Sequence, residues 1–195
     1  RNVTGVQTCA LPISYGIGNP KGVLLTGVPG CDKSLSAKCV ASTWGLPLIR
    51  LDMGKIYSSL VGSSEGNMRD AIKTCESIAP CVLWIDEIEK GIPRDRGGII
   101  DDSGVSLRVL GSFLTWMQEK TSPVFVFATA NEIHLLSPEV TRKGRFDEIF
   151  FVDLPDAEAR EQLFRVHLKK RALAPDAFDV AALAQASDGF SGAEI

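Results

Sequence analysis

Eight consecutive residues, Gly27-Val28-Pro29-Gly30-Cys31-Asp32-Lys33-Ser34, carry the spacing of a phosphate-binding loop with one exception. The pattern is Gly, four free positions, then Gly-Lys-Ser/Thr. Gly27, Lys33 and Ser34 fit it, and Asp32 stands where the last glycine belongs. In such loops backbone N–H groups converge on phosphate oxygens, helped by the positive end of the following helix. Gly27, Pro29, Gly30, Cys31 and Asp32 then form the cradle, with Leu35 just behind it. Lys33 neutralises the β- and γ-phosphates, and the Ser34 hydroxyl holds magnesium. Asp32 adds a Cβ and a negative charge. A carboxylate 4 Å from one phosphate charge costs roughly 4 kcal/mol at an effective dielectric near 20. Rotation outward, or pairing with Lys33, lessens that repulsion, so the expectation is weakened nucleotide binding rather than none.

Further along, Val82-Leu83-Trp84-Ile85 runs into Asp86-Glu87, an apolar strand ending in two acids. Asp86 suits a magnesium ligand and Glu87 a base that polarises the water attacking a γ-phosphate. Acids often end strands merely for solvation. A Lys-Ser loop upstream at domain-scale separation is what gives this pair its meaning. Asn131 follows Ala128-Thr129-Ala130 at the end of another apolar run. Its amide can orient the same water, because strand ends form the ligand crevice of open α/β sheets; an ordinary turn asparagine is the plain alternative. Arg142 and Arg145 flank Lys143-Gly144 and can present guanidinium forks to phosphate, in their own site or in a neighbour's. A solvated basic turn would look the same.

Five apolar runs must position these groups: Val23-Leu25, Leu48-Leu51, Cys81-Ile85, Val124-Ala128 and Ile149-Val152. Apolar without alternation, they suit strands buried on both faces. Between them, Met68, Ala71, Ile72, Cys75 and Ala79 recur at helical spacing, with Arg69, Asp70, Lys73 and Glu76 outward. Leu107, Leu110, Leu114 and Met117 make a second stripe, and a third helix is expected from Lys33 to Trp44-Gly45. Strands alternating with helices predict an α/β fold: a three-layer sandwich on a parallel five-stranded sheet. Arg94 to Gly104, rich in charge and glycine, reads as a surface loop.

After Pro155 the pattern turns helical. Asp156 is expected to cap a helix reaching about Arg171, and a second helix covers Val180 to Ala186. This gives a core over 14–155 and a small helical lid over 156–195, cut short at Ile195. Val3 to Ile13 resembles the translation of a sequencing adapter, so 1–13 is read as a non-native arm. A genuine terminal arm is the alternative.

The chain has 195 residues, 45% hydrophobic and 23% charged, with a net charge of −3. That balance gives no electrostatic reason to expect nucleic acid or an anionic membrane as partner, and no apolar run reaches membrane-spanning length. The five cysteines, Cys9 in the suspect arm and Cys31, Cys39, Cys75 and Cys81, show no zinc spacing and read as reduced, mostly buried thiols. His167 shares a helical face with Leu163, Phe164 and Leu168, as a core-edge histidine does.

Taken together, Gly27 to Ser34, Asp86-Glu87, Asn131, Arg142 with Arg145, and Asp188-Gly189-Phe190-Ser191-Gly192-Ala193 resemble the AAA family of ring-forming ATPases. The resemblance covers nearly all of the chain after about Tyr15. It implies a P-loop NTPase fold, with Asn131 as sensor 1, Arg142 and Arg145 as arginine fingers acting across a ring, and Gly192 and Ala193 near the adenine. WGLPLIRLDMGKI from Trp44, APCVLWIDEIEKG from Ala79, FLTWMQEKTSPVFVFATAN from Phe113 and RKGRFDEIFFVDLP from Arg142 resemble one subgroup, the hypothetical chloroplast open-reading-frame AAA proteins of plastids and cyanobacteria. The resemblance departs at Ser59-Leu60-Val61-Gly62, where threading members carry an aromatic residue and this chain has Leu60.

The expected activity is ATP binding and magnesium-dependent hydrolysis. It is expected in a homo-oligomeric ring, a hexamer being one form, that remodels an unknown protein partner in the cytoplasm or a plastid stroma. The competing expectation is a degenerate domain, disabled by Asp32, serving as a non-hydrolysing scaffold or nucleotide-gated interaction module. A helicase or clamp-loader role lacks the basic stripe and aromatic platform it needs.

Overall fold

The computed structural model describes residues 19–57, 64–91, 103–136 and 138–195. Strands β1 (Gly22–Gly27), β2 (Leu48–Leu51), β3 (Cys81–Ile85), β4 (Val124–Ala130) and β5 (Glu148–Val152) form one sheet in the order β2-β3-β4-β1-β5. The pairings of β2 with β3, β3 with β4, and β4 with β1 are parallel. Helices α1 (Lys33–Trp44), α2 (Met53–Tyr57), α3 (Ser64–Ile78) and α4 (Ser103–Glu119) lie between the strands. Every residue of β3 is buried, which requires cover on both faces of the sheet. Leu24, Leu83, Ile85, Leu110, Phe113, Leu114 and Val126 make the centre of that core.

The residue patterns account for these elements. Met68 and Cys75 of α3 are buried while Arg69, Asp70, Lys73 and Glu76 are exposed, so one apolar stripe faces inward. Leu110, Leu114 and Met117 do the same in α4; the side chain of Leu107 lies outside the described residues. α4 begins at Ser103, so Ser103 and Gly104, expected in a loop, are helical.

β5 departs from expectation in a different way. After Glu148 its run IFFV is apolar, yet Ile149, Phe150 and Phe151 are 37%, 53% and 65% exposed. The strand sits at the sheet edge beyond β1, where an apolar run no longer guarantees two covered faces. The thiols also depart: Cys75 and Cys81 are buried, but Cys31 is half-buried and Cys39 exposed. Burial pushes the Cys75 thiol up to about 11 and raises Cys81.

Internal contacts divide the chain into two compact units. One holds the described residues up to Thr26 together with Ser34–Phe150; the other holds Gly27–Lys33 with Phe151–Ile195. In the second unit, α5 (Ala157–Lys170) starts at Asp156, whose carboxylate accepts the Ala159 N–H at 2.8 Å. α6 (Val180–Ala186) is capped the same way by Asp179. The buried Arg160 joins the two helices: Nε donates to Ala184 O and Nη1 to Pro155 O, both at 2.8 Å, and Nη2 lies 3.0 Å from Asp188 Oδ1.

Candidate functional site

The register of the sheet brings the ends of β3 and β4 side by side, with Ile85 opposite Ala128. Asp86 therefore leaves β3 beside Thr129. Asp86 Oδ1 accepts two hydroxyl hydrogen bonds, from Ser34 Oγ at 2.7 Å and Thr129 Oγ1 at 2.9 Å. Its other oxygen lies 3.5 Å from Arg50 Nη2, and the Arg50 guanidinium stacks 4.9 Å from the Trp84 ring centroid. A hydroxyl and a carboxylate oxygen at this spacing are the hard donors magnesium takes when waters and phosphates complete its octahedron, so Ser34 and Asp86 fit that ion. Among the described residues no cluster of three or more His, Cys, Asp or Glu side chains could hold a metal by itself.

Glu87 adopts φ 51°, a left-handed conformation uncommon for a residue other than glycine. Strain of this kind, about 1–3 kcal/mol, persists only where the surroundings over-determine it. Three contacts do so here. The Glu87 N–H donates to Thr129 Oγ1 at 3.0 Å, Asn131 Nδ2 donates to Glu87 Oε1 at 2.9 Å, and Lys90 pairs with Oε2. The hydrogen bond to Glu87 raises the Lys90 pKa.

Asn131 is held from its backbone as well. Its N–H donates to Glu89 Oε1 at 2.9 Å, on a carboxylate only 4% exposed. Glu89 belongs to the single helical turn Ile88–Gly91, and its Oε2 is buried without a hydrogen-bond partner among the described residues.

In the other unit, the phosphate-loop residues pack on the chain near Ile195. Gly30 has φ 82°, and a Cβ there would meet Ser191 Oγ at 2.8 Å, so only glycine fits. Ala193 N–H donates to Gly30 O at 3.0 Å. A Cβ on Gly192 would lie 3.3 Å from Gly30 O and 3.5 Å from Asp32 Oδ2. Glu194 Oε2 accepts both the N–H and the hydroxyl of Ser191 at 2.7 Å, which lowers the Glu194 pKa. Lys33 is buried, its ammonium donating to Gly27 O at 2.9 Å and Val28 O at 2.7 Å. Pro29 and Leu35 are exposed.

Asp32 has φ 51°. The glycine of the motif therefore answers a left-handed backbone requirement, and Asp is one of the few other residues that meet it at modest cost. What the substitution leaves behind is chiefly its charge.

Arg142 and Arg145 sit on a turn whose Gly144 has φ 94°. Arg142 is exposed; Arg145 is half-buried and donates through Nη1 to Glu139 O. The turn is tied to the start of β1: Lys21 Nζ donates to Gly144 O at 2.7 Å, and Asp147 Oδ2 accepts the N–H groups of Lys21 and Gly22. Thr129, Glu89, Arg50 and Lys21 had no distinguishing signal in the sequence. Leu60 and its neighbours lie outside the described residues, as does 1–13.

A parallel five-stranded sheet alternating with helices, its first strand running directly into the Gly27–Ser34 stretch, is the fold of P-loop NTPases. A family model described as "ATPase family associated with various cellular activities (AAA)" matches residues 23–154. The chain belongs to the AAA family. It is 52% identical over 186 residues, 94% of its length, to "Uncharacterized AAA domain-containing protein ycf46" of Pyropia yezoensis, and 53% identical over 183 residues, 93% of its length, to the protein of that name in Gracilaria tenuistipitata var. liui. It is 37% identical over 178 residues, 90% of its length, to "Cell division cycle protein 48 homolog" of Archaeoglobus fulgidus. The chain spans 37% of the length of the first two relatives and 24% of the third. The subgroup resemblance of the stretches from Trp44, Ala79, Phe113 and Arg142 thus has a counterpart in whole-chain identity.

Proposed function

We propose that this chain binds Mg-ATP and hydrolyses it as one protomer of a ring, coupling turnover to remodelling of a protein partner. The observation that carries this reading is the contact between Asn131 Nδ2 and Glu87 Oε1, beside an Asp86 that already gathers the Ser34 hydroxyl. In this mechanism the backbone of Gly27–Lys33 and the Lys33 ammonium hold the phosphates. Ser34 follows Lys33 directly in the chain and, with Asp86, holds the metal. Bound magnesium supplies neutralisation of phosphate charge. Glu87 takes the proton from the attacking water and Asn131 orients that water through its amide. Gly192 and Ala193, packed on Gly30, face the base of the nucleotide, and Arg142 and Arg145 reach the γ-phosphate of the adjacent protomer. No helix among the described residues is long and apolar enough to cross a membrane, and the cytoplasm or a plastid stroma is the proposed compartment.

The test is steady-state phosphate release from Mg-ATP by the chain and by Glu87→Gln. Turnover by the parent that the substitution abolishes supports the reading. Equal release by both would end it.

Asp32 favours a second reading, a scaffold that binds without hydrolysing. An oligomer that assembles identically with and without ATP, together with no turnover, is the result that selects it.

A further inference from the structure

We infer that Thr129 is a positioning residue that sets both acids of the site at once. The inference rests on the hydrolytic reading above and adds to it a residue outside the phosphate loop, the acid pair and the asparagine.

The threonine is 1% exposed, at the penultimate position of β4. Its single hydroxyl is used twice, donating to Asp86 Oδ1 at 2.9 Å and accepting from the Glu87 N–H at 3.0 Å. The two roles are coupled. Donation to Asp86 points the hydrogen away and leaves a lone pair for Glu87. That second bond anchors the residue whose backbone is left-handed, directly before the turn that carries Glu89 and Lys90. One hydroxyl thus ties the direction of the Asp86 carboxylate to the exit angle of Glu87. Small displacements of reacting groups cost rate steeply, about 10²-fold for 1 Å. Binding of the phosphates by the Lys33 loop does not pass through this hydroxyl, so its loss should appear in turnover and leave the affinity for magnesium-free ATP unchanged.

Thr129→Ser keeps the hydroxyl, Thr129→Val keeps the shape without it, and Thr129→Ala removes both. The readouts in the full chain are kcat, the dissociation constant for ATP in the absence of magnesium and hydrogen exchange at the Glu87 amide. The serine variant is expected to match the parent in all three. The valine and alanine variants are expected to lose about 10²-fold in kcat, with affinity kept and the Glu87 amide exchanging faster. Parent-like kcat in either, or a loss carried by affinity, overturns the assignment. If neither variant folds, the parent decides: a Glu87 amide exchanging at an unprotected rate overturns it, and a slowed one supports it. If the parent shows no turnover, the hydrolytic reading fails, while the exchange comparison still decides what Thr129 does.

Discussion

Asn131 Nδ2 donates to Glu87 Oε1 at 2.9 Å, joining the end of β4 to the end of β3. Glu87→Gln preserves an acceptor for that amide and removes the carboxylate, the base of the proposed mechanism, together with its charge toward Lys90. Nucleotide affinity should stay near the parent value while kcat falls by about 10²–10⁴-fold. Asn131→Ala should lower kcat less and leave affinity intact. Calorimetry and single-turnover kinetics separate the two effects, and a loss of affinity in either variant would contradict the assigned roles.

Because Asp32 already accepts the left-handed backbone, its remaining cost is electrostatic. Asp32→Asn and Asp32→Gly should therefore tighten Mg-ATP binding alike, by about tenfold once exposure to solvent is allowed for. Thermal stability should change by only a few degrees, since strain relieved by glycine is offset by the entropy glycine loses on folding. Tightening by glycine alone would point to the Cβ as the obstacle.

If Arg142 and Arg145 act on a neighbouring protomer, two inactive chains should complement each other. Arg145→Ala retains its own Glu87, and Glu87→Gln retains its arginines. Mixed oligomers should regain activity that neither variant shows alone, measured as phosphate release against mixing ratio. A strictly additive residual rate would place the arginines in their own site.

Lys120 offers a test by pH. Its ammonium donates to Val124 O, and burial pushes its pKa from 10.5 down to about 8. Below about 8 both folded and unfolded chains carry the proton, and the cost of burying the charge is present in full. Between about 8 and 10.5 the unfolded chain binds more protons, so stability contributed by this group rises with pH. Thermal scans across that window should show a rise that Lys120→Met lacks; equal slopes would refute the shift.

Most of the sheet was legible because β1, β3 and β4 are largely apolar runs, and α1, α5 and α6 because a Gly-rich Lys-Ser loop or a capping aspartate announces them. β5 misled because its composition matches that of a buried strand, while its exposure depends on strand order, which no local pattern encodes. α2, five residues long, is too short to show a period. At the site, Asp86, Glu87 and Asn131 declare themselves as polar groups ending apolar runs. Thr129 does not, because a β-branched residue inside a strand looks like packing. Only the register that sets Ala128 opposite Ile85 turns its hydroxyl toward the acids. Glu89 likewise reads as a solvated charge until its turn folds it inward.

The cations around Trp84 make the indole an optical gauge of the site. Arg50 stacks 4.9 Å from its ring centre and Lys38 lies 5.7 Å away, one paired with Asp86 and the other carried on the helix that follows the phosphate loop. Displacing either charge alters the electric field along the ring and shifts its fluorescence. With Trp44 and Trp116 replaced by phenylalanine, the emission colour of Trp84 alone should report metal arrival at Asp86 in real time, without any attached dye.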